Sequence, residues 1–188
     1  MIDTPLIRID RHESGVVEVV LDRPEAMNAV STQMATALTA AGAALADDTS
    51  VRAVVLTSSH DKAFCVGADL KERNGLTDEQ LRAQRPGNRL AYRALLDLPV
   101  PTIAAVDGYA MGGGCELALA CDLIVAGPRA LFALPEVSVG VIPGGGGTQL
   151  MTRRIGWSRA ADLIFTARRI DAEEALRLGL ADRFVDDA

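Results

Sequence analysis

Two glutamates, each beside a run of glycines, are the residues whose type and spacing could do chemistry. Glu116 lies in GYAMGGGCELALACD (108–122), just after Gly112, Gly113 and Gly114. Glu136 follows twenty residues later, in LPEVSVGVIPGGGGTQ (134–149). Two carboxylates can divide general-base and general-acid work when their surroundings hold them in different protonation states. Glycines that open a helix expose its first N–H groups, which lack internal partners and carry partial positive charge. Gly113 and Glu116 are three apart and share a helical face, so a ligand on the Gly113 N–H would lie beside the Glu116 carboxylate. A plainer reading stands beside this one: a tight turn permitted by glycine, with an acid favoured by the helix dipole. Neither glycine run spells a phosphate loop or a dinucleotide fingerprint, because G-K-[ST] and G-x-G-x-x-G are both missing.

The elements that must position these residues follow from hydrophobic pattern. LIRID and VVEVVL (16–21) read as paired strands around RHESG. Ser31 or Thr32 caps a helix with apolar positions Met34, Leu38, Ala41 and Leu45. RAVVLTS (52–58) is a buried strand, and SHDKAFCVGADLKERNGL reads as a long polar loop. Residues 77–96 read as a helix interrupted at Pro86-Gly87. TIAAVDG (102–108) is a strand that leads into the glycine-led helix, and DLIVAG and ALFAL are strand-like. LMTRRIG, SRAADLIFTA and AEEALRLGL are short helices, and DRFV is a last strand. The order implies a layered α/β fold with a largely parallel sheet.

Composition narrows the function. The chain has 188 residues, one domain's length, and a net charge of −6, which argues against a surface built to grip nucleic acid. Cys65, Cys115 and Cys121 form no C-x-x-C pair, which suggests reduced thiols in a cytoplasmic protein. With only His12 and His60, a histidine-rich metal site is excluded. The N-terminus has acids early and no apolar core, unlike a signal peptide. The longest apolar run is broken by Asp107, Glu116 and Asp122, so no membrane span is expected.

Taken together, LDRPEAMNA, AFCVGADLKE, PVPTIAAVDGYAMGGGCELALACD, LPEVSVGVIPGGGGTQ and a late A-x-x-LGL resemble the crotonase, or enoyl-CoA hydratase/isomerase, superfamily along essentially the whole chain. GADLKER and IPGGGGTQ resemble the methylglutaconyl-CoA hydratase subgroup, whose motifs bacterial enoyl-CoA hydratases share. The resemblance implies a spiral of ββα units over residues 1–188, with the family's C-terminal helical region largely absent. It also implies an oxyanion hole, in which a thioester carbonyl sits between the backbone N–H groups of Ala68 and Gly113. Glu116 would deprotonate the water that adds at C3, and Glu136 would protonate C2. The Gly144 backbone would help hold that water.

Further contacts implied for the acyl-CoA are Ala26, Asp69, Leu70 and Lys71. Lys71 is open equally to a coenzyme A phosphate or to solvent alone. Arg23 shares the Ala26 loop, where Glu25 stands in place of a frequent lysine. Asp69 and Asp122 also read as structural caps or ion-pair partners, and Cys115 and Trp157 as packing residues. No metal and no cofactor is expected, coenzyme A being part of the substrate. Both glutamates favour hydration of a 2-enoyl-CoA. Isomerisation of an enoyl-CoA is the nearest alternative, and a non-catalytic or RNA-binding role the alternative of another class. The first helix carries no basic residue, against the RNA role. A homo-trimer or hexamer is implied for a full-length form. For this chain alone, weaker acyl-CoA binding and heterogeneous association through bare apolar surface are expected.

Overall fold

A computed structural model describes residues 6–186; the first five residues, which the reading of the N-terminus includes, and the last two lie outside the described part. Two sheets form the frame. The larger has six strands: β1 (Ile7–Arg11), β2 (Val16–Leu21), β3 (Ala53–Ser58), β5 (Thr102–Val106), β7 (Leu123–Ala126) and β10 (Arg183–Phe184), hydrogen-bonded in that order. Only the β1–β2 hairpin is antiparallel; each later pairing is parallel. The smaller sheet runs β4 (Ala63–Cys65), β6 (Tyr109–Met111), β8 (Leu131–Ala133) and β9 (Ile170–Asp171).

The chain alternates between the sheets: β3 to β4, β5 to β6, β7 to β8. Helices α2 (Leu70–Asn74) and α3 (Asp78–Leu96) follow the first of these pairs, and α4 (Gly113–Leu119) the second. This is the expected spiral of ββα units. The sequence signal hid part of it, because β4 and β6 are three residues each and too short to show a period, whereas β8 falls within the strand-like ALFAL. AFC lies fully buried and pairs with β6, so tertiary pairing makes it a strand within a segment that reads as a polar loop.

Helix α1 (Thr32–Ala46) is capped by the Ser31 side chain, which accepts from Met34 N–H. It packs along α3, which runs unbroken through Pro86, contrary to the expected interruption. A Thr77–Gln80 capping box starts α3, and the buried face of Asn88, Ala91, Tyr92 and Leu95 holds it, while Pro86 stays on the exposed side.

Helices α5 (Gly147–Ile155), α6 (Trp157–Thr166) and α7 (Ala172–Leu178) close the chain. Arg154 ties α5 to the large sheet, donating to the Cys121 and Asp122 carbonyls and to Asp182. Asp122 is structural as read: its carboxylate accepts from the N–H and hydroxyl of Thr102. Trp157 corrects its reading as a packing residue, being 71% exposed at the start of α6; Phe165 at the far end is 69% exposed. Among the described residues no helix is long and apolar enough to cross a membrane.

Candidate active site

The three glycines before Glu116 have three different causes. Gly112 has φ +52°, a left-handed turn from β6 into α4. Gly114 faces strand β4 so closely that a Cβ would fall on the Cys65 carbonyl oxygen; its partner is the protein's own backbone. Gly113 is the glycine that faces the site. A Cβ there would stand 2.5 Å from the Tyr92 hydroxyl and 3.6 Å from the Ala68 amide nitrogen. The plain reading therefore accounts for two of the glycines, and the ligand reading is left with one.

Ala68 is held by its neighbours. Val30 N–H donates to the Gly67 carbonyl and Asp69 N–H to the Val30 carbonyl, which pins the peptides on either side. Neither the Ala68 nor the Gly113 N–H makes a loop or cap hydrogen bond to a backbone carbonyl among the described residues. Behind this turn Asn28, wholly buried, accepts from Arg23 N–H and donates to the Ser58 hydroxyl and the Phe64 carbonyl. The 21–30 loop thereby anchors the 63–68 segment.

Glu116 is 2% exposed on α4. Its Oε1 accepts from Gly145 N–H at 2.7 Å and from Gly147 N–H at 2.8 Å. Burial pushes its carboxyl above the usual range, and the N–H groups of Gly147 and Gly145 pull it back by favouring the ionised form. Glu136 sits in a short 3-10 turn, Pro135–Val139, its Oε1 about 3.0 Å from where a Gly112 Cβ would stand. Its Oε2 is buried with no hydrogen-bond partner. Burial raises Glu136 to about 7; its own backbone N–H opposes that rise, and the Glu116 charge adds to it. The two acids thus share a site in different settings: Glu116 Oε1 takes two amides from the glycine loop, while Glu136 has only its own N–H as donor and one oxygen buried without a partner.

Ala68, Gly113, Glu116 and Glu136 are therefore drawn together. Gly144 lies exposed close by, but the donors to Glu116 are Gly145 and Gly147, which the sequence reading did not single out. The Asp69 carboxylate caps α2 through Glu72 N–H and pairs with Arg23 at 2.7 Å. Both groups are committed to structure, and these bonds hold the Asp69 carboxyl below its usual range. Leu70 and Lys71 lie exposed on α2. Ala26 is half-buried beside a groove of about 490 Å³ lined by Pro24, Glu25, Met27, His60 and Lys62, among others. All three thiols are buried and free. Burial pushes Cys65 and Cys121 up to about 12 and Cys115 upward as well, which makes them inert packing groups.

Tyr92 was missed in the sequence because on α3 it shows only the spacing of a core position. Its ring lies against Gly145 and its hydroxyl beside Gly113. Burial raises its phenol well above the usual range, and the nearby Glu116 charge adds to the rise.

Paired short strands wound as a spiral, with two acids facing a free helix-start amide, define a crotonase-type protein. The chain belongs to the enoyl-CoA hydratase/isomerase family, whose sequence profile matches residues 11–188. It is similar to a probable mitochondrial enoyl-CoA hydratase of Arabidopsis thaliana, 43% identical over 94% of this chain and 59% of that protein. It is 46% identical to a probable enoyl-CoA hydratase of Mycobacterium bovis, over 89% of this chain and 64% of that protein. The chain thus spans about three fifths of the length of these curated relatives. The crystal structure of an enoyl-CoA hydratase from Bacillus anthracis superposes with a TM-score of 0.93 at 41% identity, covering 96% of this chain and 70% of that one.

Proposed function

We propose that this protein hydrates a 2-enoyl-CoA to the 3-hydroxyacyl-CoA by syn addition of water. The observation that carries the reading is the contrast between the acids: Glu116 Oε1 with two amide donors, Glu136 Oε2 buried with none. Amide donors favour a carboxylate that takes a proton, and an unpartnered buried oxygen favours a carboxylic acid that gives one.

The thioester carbonyl lies between the N–H groups of Ala68 and Gly113. Glu116 accepts a proton from water as its oxygen bonds to C3, and the electron pair of the double bond moves to an enolate. Negative charge then grows on the carbonyl oxygen, where losing one fixed donor costs about 10²–10³ in rate. Glu136 gives its proton to C2, and exchange with solvent resets both acids. The coenzyme A part runs outward past Ala26, Leu70 and Lys71, with the Gly144 backbone near the water. The reaction calls on no metal and no cofactor. A homo-trimer or hexamer belongs to the full-length form. Three buried unpaired thiols fit a reducing compartment such as the cytoplasm.

A second reading, isomerisation of a 3-enoyl-CoA, is favoured by one observation. A carboxyl at about 7 can both remove and return a proton. An RNA-binding role has no such support, since α1 carries no basic side chain. Incubation with 2-enoyl-CoA and 3-enoyl-CoA thioesters, with products identified by mass, tests the reading. A gain of one water by the 2-enoyl substrate is expected; a 3-enoyl substrate shifted to its 2-enoyl isomer, with no hydration, would replace hydratase by isomerase.

A further inference from the structure

Tyr92 is 8% exposed, and its place is defined at both ends of its side chain. A Cβ on Gly145 would stand 2.7 Å from its Cζ and 2.8 Å from its Cε1. One on Gly113 would stand 2.5 Å from its hydroxyl. The phenol therefore bridges from the loop that holds Glu116 to the start of α4. The same Gly145 point is 2.8 Å from Glu116 Oε2, so the ring borders the carboxylate oxygen that accepts no amide.

A thioester bound here has two directions to run. Its coenzyme A end is large and charged and must leave towards solvent. Its acyl end, being apolar, is drawn to the buried side, and Tyr92 is the buried ring that stands between Gly113 and Gly145. One helical turn earlier, on the same buried face of α3, Asn88 Oδ1 is buried without a partner. Hydrocarbon packed against an unpaired carbonyl oxygen gains little. Steric and polar features thus point the same way.

We propose that Tyr92 is a specificity-determining residue that closes the acyl end of the site and restricts it to short acyl chains. The inference rests on the acyl-CoA reading above and names the substrate class within it. The ring does the work by occupying volume, and the hydroxyl has no part in it. An apolar channel would add about fourfold in affinity for each further methylene group it covers. A closed one would add almost nothing beyond the first few carbons.

The test is calorimetric titration of the 188-residue chain with saturated butyryl-, hexanoyl- and decanoyl-CoA, which bind without turning over. Wild type, Tyr92→Phe and Tyr92→Leu are compared, and thermal denaturation verifies that each variant is folded. Wild type and Tyr92→Phe should hold decanoyl-CoA no more than about threefold tighter than butyryl-CoA, below the gain from covering even one methylene group. Tyr92→Leu should raise that preference at least tenfold. If Tyr92→Leu fails to fold, Tyr92→Phe and wild type still decide the matter through chain length. A steady rise in affinity to decanoyl-CoA in either overturns the inference, and so does an unchanged preference in folded Tyr92→Leu. Absence of acyl-CoA binding by folded wild type overturns the reading of the site itself, a different result from binding that ignores Tyr92.

Discussion

Glu116 Oε1 accepts a hydrogen bond of 2.8 Å from Gly147 N–H, thirty-one residues further along the chain. The segment that supplies this donor begins near Glu136, so one loop carries one carboxyl at its start and holds the other from its end. A Cβ at position 147 would come within 3.0 Å of Oε1 and 2.9 Å of the Pro143 Cβ. Gly147→Ala should therefore displace the Glu116 carboxylate and lower kcat by about 10²-fold, the scale of an ångström-sized misplacement. Steady-state kinetics beside thermal denaturation tests this. Normal kcat in the folded variant would detach the loop from the work of Glu116.

Gly113 and Gly114 should respond differently to a side chain. At Gly114 the obstacle is backbone, the Cys65 carbonyl between α4 and β4. Gly114→Ala should cost at least the roughly 1–3 kcal/mol typical of overpacking, read as a lower midpoint in urea unfolding. At Gly113 the nearest obstacle is the end of one side chain, the Tyr92 hydroxyl, and no backbone atom lies closer than 3.4 Å. Gly113→Val should fold and lose acyl-CoA affinity in calorimetric titration. Wild-type affinity in the folded variant would remove Gly113 from the carbonyl site.

The pH dependence follows from Glu136, whose carboxyl is raised from 4.5 to about 7, chiefly by burial. A proton donor with that value should lose kcat/KM as pH rises through about 7. For stability the sign is the same. The folded state holds this proton more tightly than the unfolded chain, so the contribution is complete below 4.5 and lost as pH rises to about 7. Chemical denaturation across that window should show wild type losing stability relative to Glu136→Gln. A constant difference would mean that Glu136 ionises as an ordinary surface acid.

The nearness of Gly113 and Glu116 was legible because a helix start brings residues three apart together, whereas Glu136 and Ala68 were set beside them only by the resemblance to the family. The Ser31 cap and the β1–β2 hairpin were legible for the same local reason. What stayed hidden depends on distant contacts. Nothing local separates Gly114, spaced for Cys65, from Gly113, which faces the Tyr92 hydroxyl and the Ala68 amide. Gly145 and Gly147 look alike with their neighbours in GGGG until the loop folds back on α4. Tyr92 carries only the helical spacing of a core residue. Pro86 predicts a break, but capping and a buried face carry α3 past it.

The central claim, that Glu116 and Glu136 together add water across a thioester held at Gly113 and Ala68, is tested most directly by isotope incorporation. A 2-enoyl-CoA is incubated in water enriched in deuterium and oxygen-18, and the product is analysed by mass spectrometry for wild type, Glu116→Gln, Glu136→Gln and the double variant. Wild type should place one oxygen-18 at C3 and one deuterium at C2. Each single variant should lose most of the rate, about 10²–10⁴-fold. The double variant should be little worse than the worse single, because the two acids act as a unit. Near-normal oxygen incorporation by Glu116→Gln, or deuterium at C2 with no oxygen at C3 in wild type, would contradict the account.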